Sequence, residues 1–220
     1  MRILALLAFW APLGLIAAPT QPPSAQSYKD LAAKLCRQAR DNGDVTVYDR
    51  AWEALQHSLQ LSPGNYDAQK LEVTVLIGRR EFSQALKLAS EVNAMAHDDI
   101  AGWGLLVDAN IALGSYDAAE RAAQWILDLR PGSSLGFEKA AILRGIFGDP
   151  EGASEYFDEA YRRTSPNDVD QRAWLLTQNA RAQLAAGNRK RAEQLLDEAL
   201  QLYPDSQSAA ATLAKVRASK

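Results

Sequence analysis

Apolar residues recur at three- and four-residue intervals throughout this chain, and nothing in it alternates with the two-residue period of a strand. The spacing predicts helices over 28–42, 48–61, 67–79, 82–95, 99–113, 116–129, 135–147, 150–163, 170–186 and 189–202, and a last one over 206–218. Turn chemistry punctuates the pattern. Gly43, Gly114, Gly148 and Gly187 each follow the first helix of a pair, where a left-handed residue ends a helix at least steric cost. Asp49 and Asp117 are placed to cap the helices that follow, and Pro150 suits a first helical turn. Pro63-Gly64, Pro131-Gly132, Pro166-Asn167 and Pro204-Asp205 break the chain between helix pairs. The predicted fold is all-α.

The helix pairs repeat. Ala51, Ala85, Ala119 and Ala153 stand 34 residues apart, and Ala192 follows after 39. A constant period means one helix–turn–helix unit stacked on copies of itself. The third copy is fullest: Trp103-x-x-Leu106, Gly114-Ser-Tyr116-x-x-Ala119, then Pro131. From Ser27 to Pro204 the chain thus resembles the tetratricopeptide repeat. The resemblance implies a right-handed α-solenoid of about five units (27–65, 66–99, 100–133, 134–167 and 168–204), with a capping helix in 205–220. It implies a binding role and names no partner. The periodic alanines mark where adjacent helices approach closely, so a larger side chain there would force them apart. Leu55, Trp103, Leu106, Phe137, Phe157 and Leu196 fill the seams, and Ala209, Leu213 and Val216 give the last helix one apolar face. Departures from the pattern are Val45-Thr46-Val47 inserted in the first unit, His97 in place of a proline, Asn179 at an apolar position, and an insertion within Thr164–Asp170.

The first residues change the picture of where the protein works. Met1-Arg2, an apolar run and then Ala17-Ala18 have the order of a secretory signal peptide, with cleavage expected after Ala17. Residues 18–26 then form a flexible spacer, and the protein is exported, in the first place to a bacterial periplasm. The alternative is an uncleaved N-terminal membrane anchor; after cleavage no membrane span is expected. The 24 basic and 27 acidic side chains give a net charge of −3, which becomes −4 once Arg2 is lost. That balance argues against a nucleic-acid partner. The single cysteine, Cys36, excludes an intramolecular disulfide, and its helix-packing position reads as a buried, inert thiol.

Candidate chemistry is sparse. Gly132-Ser-Ser134-Leu-Gly136 matches the G-x-S-x-G nucleophile elbow, but a helix precedes it and both histidines, His57 and His97, lie upstream. It reads as a turn that supplies a helix cap. Gly102-Trp103-Gly104 has no third glycine and no strand before it, so tight helix packing explains it better than a dinucleotide site. The histidines share no metal-ligand spacing with each other or with Cys36. No catalytic residue, cofactor or metal is expected, and the chain does not read as an enzyme.

In the family it resembles, the first helices of successive units line the concave face. Carried over residue by residue, that places Lys34, Arg37 and Arg40, then Asp67, Lys70, Thr74 and Ile77, on that face. Gly104, Leu105, Asp108 and Ile111 follow, then Leu135, Glu138, Ile142 and Gly145, then Trp174, Thr177, Gln178 and Arg181. Such a mixture, basic at both ends and apolar in the middle, suits a protein or peptide segment held by apolar anchors and a few hydrogen bonds. The residues expected to carry binding are Lys34, Arg37, Lys70, Thr74, Asp108, Glu138, Ile142, Trp174, Gln178 and Arg181. A shift of one position would turn Ile142 and Trp174 into core. The Lys/Asn/Arg set with which chaperone-binding relatives grip a terminal carboxylate is not reproduced. Two functions remain open: an adaptor that binds another protein in its groove, and a structural module that associates with itself.

Overall fold

The computed structural model describes residues 23–218, and among these it contains eleven α-helices and no strand. They are α1 (Ala25–Asn42), α2 (Val47–Leu61), α3 (Tyr66–Gly78), α4 (Phe82–Met95), α5 (Ile100–Ala112), α6 (Tyr116–Leu129), α7 (Ser134–Ile146), α8 (Pro150–Arg163), α9 (Val169–Ala185), α10 (Arg189–Leu202) and α11 (Gln207–Ala218). Every helix expected from the spacing is present, with ends displaced by a few residues. The expected signal peptide lies outside the described residues, as does most of the expected spacer; α1 already begins at Ala25. Among the described residues no helix is long and apolar enough to cross a membrane.

Helices pair α1 with α2 through α9 with α10, and the pairs stack as an α-solenoid closed by α11. The odd helices α1, α3, α5 and α7 touch in succession, whereas the even helices do not touch one another to that extent. The first helices of the first four units are therefore on the inside of the curve. The periodic alanines sit where helices meet: Ala51, Ala85, Ala119 and Ala192 are 0% exposed and Ala153 is 1%. Shared side chains join neighbouring core clusters, and Leu143 of α7 brings the fourth unit into the cluster of the third. Trp52 packs on the clusters of the first and second units, Leu106 on those of the second and third, and Tyr161 on the last two. Ala209, Leu213 and Val216 of α11 join the core of the fifth unit, as their common face required.

The turns inside the units close alike. Gly43, Gly114, Gly148 and Gly187 all have φ between 73° and 82°. After the last three, the backbone N–H groups of Ser115, Asp149 and Asn188 donate back to the carbonyls of Asn110, Arg144 and Gln183, which closes the helix end. In the second unit the same bond runs from Glu81 to Leu76, but the left-handed position is filled by Arg80 at φ 64°. A Cβ in that conformation meets the following carbonyl. Arg80→Gly is accordingly expected to stabilise the fold by about 1 kcal/mol, read as a higher denaturant midpoint at unchanged slope.

Two expected caps take another form. Asp49 and Asp117 lie in the first turns of α2 and α6, whose N-cap residues are Thr46 and Ser115. Neither aspartate accepts a capping bond; their charge opposes the positive end of the helix, and Asp49 also faces Arg79 at 3.6 Å. Pro150 does open α8, with Asp149 capping Gly152 N–H at 2.8 Å. Asn179, at a normally apolar position, is 2% exposed and engaged at both ends of its amide: it accepts from Ser154 Oγ at 2.6 Å and donates to Asp158 at 2.7 Å.

The array curls until its ends touch. Asp41, at the end of α1, accepts from Ser206 Oγ at 2.9 Å, from Gln207 N–H at 2.9 Å and from Ser208 N–H at 3.3 Å. One carboxylate of the first unit thus caps the last helix. Beside it Arg40 donates to Gln171 at 3.1 Å and lies 5.0 Å from the Trp174 ring centre, and Arg37 faces Asp170 at 3.7 Å.

Candidate functional site

Three side-chain caps set where the inner helices begin. Asn65 accepts from Ala68 N–H at 3.0 Å, Asp99 from Ala101 N–H at 2.9 Å, and Ser133 from Gly136 N–H at 3.0 Å. With α3, α5 and α7 so placed, their small and aliphatic residues come together against α1. The result is a cavity of about 430 Å³ whose apolar wall is Ala33, Leu71, Ala101, Gly104, Leu105 and Leu135. Gly104 suits the close approach: a Cβ there would stand 3.1 Å from Leu135 Cδ2, tight enough that the leucine would have to shift by a few tenths of an ångström. Gly102, two residues before it, is likewise pressed on α4, its Cβ position 3.4 Å from Asn93 Cα. Tight packing is what both glycines serve.

Charged residues ring this cavity, and they are tied to one another. Lys70 Nζ lies 3.0 Å from both Asp67 and Asp99, and Lys29 lies 3.8 Å from Asp67. Asp99 also accepts from the Tyr66 hydroxyl at 3.0 Å. Burial pushes the Asp99 carboxyl up, but the Ala101 N–H, Lys70 and Tyr66 outweigh it and hold the group below its ordinary value. Burial likewise works against the Lys70 charge, and the two carboxylates outweigh it and raise that group.

At the foot of the cavity stands Lys139, which spacing alone does not single out. Its side chain is 8% exposed, and its ammonium donates to both oxygens of Asp108, at 2.8 and 2.9 Å, and to Glu138 at 3.1 Å. Desolvation disfavours its charge, yet Asp108 and Glu138 together hold it well above the ordinary lysine value. Glu138 in turn accepts from Gln171 at 2.7 Å, and Gln171 from Arg40. A polar chain therefore runs from α5 through α7 and α9 back to α1. A sequence signal for it exists: Tyr66 with Asp99, Asp108 with Lys139 and Glu138 with Gln171 are separated by 33, 31 and 33 residues. Inner helices of adjacent units meet at slightly less than one repeat.

The ten residues expected to carry binding do not form one strip. Lys70, Thr74 and Asp108 line the first cavity. Lys34, Arg37 and Trp174 line a second one, of about 470 Å³, between α1, α9 and the start of α11. Glu138, expected as an acid open to the groove, is buried against Lys139. Ile142 and Trp174 pack against the core cluster of the fourth and fifth units. Gln178 neighbours Arg181, which is exposed and donates to Ser208 on α11 at 3.0 Å. Thr177 is fully buried and returns its hydroxyl to the Ala173 carbonyl. The wall built by the odd helices ends at α7: α7 and α9 do not meet as the earlier inner helices do, and Gln171 and Trp174 of α9 face Arg40 of α1.

The remaining candidates have local roles. Ser134, the central serine of the G-x-S-x-G match, donates to the Ala160 carbonyl at 2.9 Å and lies 2.6 Å from Thr164 Oγ1. Cys36 is 7% exposed, and burial pushes its thiol up to about 11 against a weaker pull from Arg37. At pH 8 only about one thiol in a thousand is then ionised. Ellman's reagent is expected to leave the native protein unmodified and to titrate one equivalent after denaturation. Among the described residues no group of three His, Cys, Asp or Glu could hold a metal ion.

A family model described as tetratricopeptide repeat matches residues 147–216, which run from the end of α7 into α11. Solved structures share the fold across the described array. A thermophilic TPR protein of Thermus thermophilus superposes with a TM-score of 0.72 at 16% identity, covering 88% of this chain and 98% of that one. A chain of the APC/C hetero-tetramer Cut9–Hcn1 gives 0.64 at 14% identity, over 87% of this chain and 39% of that one. A tetratricopeptide repeat protein from Parabacteroides merdae gives 0.52 at 18% identity, covering 87% and 72%. No curated protein matches the sequence. At these identities the likeness establishes the fold, a tetratricopeptide-type α-solenoid with a terminal helix.

Proposed function

We propose that this chain is a non-catalytic scaffold that holds a segment of a partner protein against the inner helices of its first four units, outside the cytoplasm. The observation that carries this reading is the cavity of about 430 Å³ built by α1, α3, α5 and α7 together. Four repeat units contribute to one wall, which a stack makes available and a single helix pair cannot. Its size lies within the roughly 300–1,000 Å³ of binding pockets. Arrays of this fold are protein-interaction adaptors in general, and the partner is a matter for capture. Export rests on Met1-Arg2, the apolar run and Ala17-Ala18.

Affinity capture from envelope extract, with the full chain and its Leu105→Asp variant as baits, tests the reading. A protein retained by the first and lost from the second supports it, provided circular dichroism shows both folded. Equal recovery moves the binding surface elsewhere. Intact mass of the exported protein tests the compartment: an N-terminus at Ala18 supports cleavage, and a retained Met1 in the membrane fraction supports the anchor instead.

A second reading, self-association, has its own observation. Leu113, Tyr116, Ile146 and Phe147 are 39 to 54% exposed, and the Tyr116 and Phe147 rings meet edge-to-face at 6.2 Å. This apolar edge lies on the turns of the third and fourth units. Sedimentation over a range of concentrations decides: a mass that rises, and returns to monomer in Phe147→Asp, favours it, while a constant monomer removes it.

A further inference from the structure

We propose that the cavity between α1, α3, α5 and α7 takes an uncharged apolar side chain of the partner segment, one of leucine, methionine or phenylalanine type, and not a carboxylate. This rests on the reading that the inner face binds a segment, and says what kind.

Charge decides between the two occupants. Three lysines, Lys29, Lys70 and Lys139, and three aspartates, Asp30, Asp67 and Asp108, border the cavity, so its lining carries no net formal charge to draw an anion. Each lysine is already paired: Lys29 with Asp67, Lys70 with Asp67 and Asp99, and Lys139 with Asp108 and Glu138. A carboxylate entering here would need one of these ammonium groups, and taking Lys70 or Lys139 would strand Asp99 or Asp108 in a half-buried site. The acids are no more available. Asp67, Asp99 and Asp108 face their lysines, and Asp30 accepts from Gln26 at 2.8 Å on its own helix. What remains unsatisfied is the apolar wall of Ala33, Leu71, Ala101, Gly104, Leu105 and Leu135. Its small members leave the room, its leucines supply the contact, and an apolar side chain seated there is removed from water. Among the described residues Thr74 is the only uncharged polar side chain on the wall; its hydroxyl can bond an amide of the incoming backbone and orient it.

The test pans displayed short random peptides against the full chain. Selected sequences are then synthesised with free and with amidated C-termini. Affinities are read by fluorescence anisotropy for the wild type, for Ala33→Phe and Thr74→Phe, which fill the space from two different helices, and for Lys70→Gln. The expected result is a common leucine, methionine or phenylalanine whose replacement by alanine weakens binding at least about tenfold. Both filling variants, checked for an unchanged helical spectrum, should lose binding to a similar degree. Amidation should change it less than about threefold, because no charge is read. Peptides that require an acidic residue or the free C-terminus, and that fail on Lys70→Gln, would overturn the apolar assignment and leave the concave-face reading standing. No enriched peptide, or peptides indifferent to both filling variants, would overturn the two together.

Discussion

Lys139→Ala is expected to cost about 3 kcal/mol. The ammonium is enclosed, with 8% of the side chain exposed, and it answers Asp108 and the 10%-exposed Glu138 at once. Removing it leaves two carboxylates facing each other across adjacent inner helices with no cation between. The figure sits at the low end for a severed buried pair because Asp108 keeps 36% of its side chain in water. The pH dependence has a definite sign. In the wild type the raised Lys139 contributes fully below the unfolded lysine value of about 10.4, and its contribution is lost as pH rises through the folded value. Burial already holds the Asp108 carboxyl above its ordinary value, with Lys139 as the first force opposing it. Without Lys139 that carboxyl rises further, the folded state binds the additional proton, and the deficit shrinks as pH falls. Urea unfolding of both proteins at about pH 7 and about pH 5 measures this; an equal deficit at the two values would mean the carboxylates are solvated in the variant.

Ala119→Leu is expected to destabilise by roughly 1–3 kcal/mol through overpacking. Ala119 is 0% exposed, enclosed among Val107, Ala123, Ile126 and Leu143 where α6 approaches α5 and α7. Three added carbons would have to be accommodated inside this enclosed contact, by separating helices or moving side chains off their rotamers. Its exposed neighbour Glu120 supplies the control: Glu120→Leu should stay within about 0.5 kcal/mol. For a chain of this size the melting temperature should fall about 2–4 °C for each kcal/mol. A melting point unmoved in Ala119→Leu would mean that the 34-residue register does not mark the helix contacts.

Legibility follows the range of the interaction. Ala51, Ala85, Ala119, Ala153 and Ala192 announce themselves because the same packing problem recurs in each unit, and Gly43, Gly114, Gly148 and Gly187 because a helix end needs a left-handed residue. Arg80 is invisible to that signal because it adopts the conformation without being glycine. Asp49 and Asp117 mislead for the opposite reason: they are acidic and near helix starts, yet the N-cap positions belong to Thr46 and Ser115. Of the binding surface, Lys70, Thr74, Asp108, Gly104, Leu105 and Leu135 can be placed together from spacing because the first four units keep their period. Trp174, Gln178 and Arg181 cannot, because α9 does not meet α7 as the earlier inner helices meet one another, and Trp174 and Arg181 contact Arg40 of α1 and Ser208 of α11.

By itself, the sequence determined an all-helical stack: its period, its helix ends, its close-contact alanines and the terminal helix that covers the last unit. Those features arise from contacts within a unit or between neighbours, so a repeating pattern is enough to specify them. Only the tertiary structure decided that Asp41 caps α11 through Ser206, Gln207 and Ser208, some 165 residues away, and that Arg40 reaches Gln171 and Trp174. Closure of the ends is the sum of small rotations at every interface, and no single unit carries the sign or size of that sum.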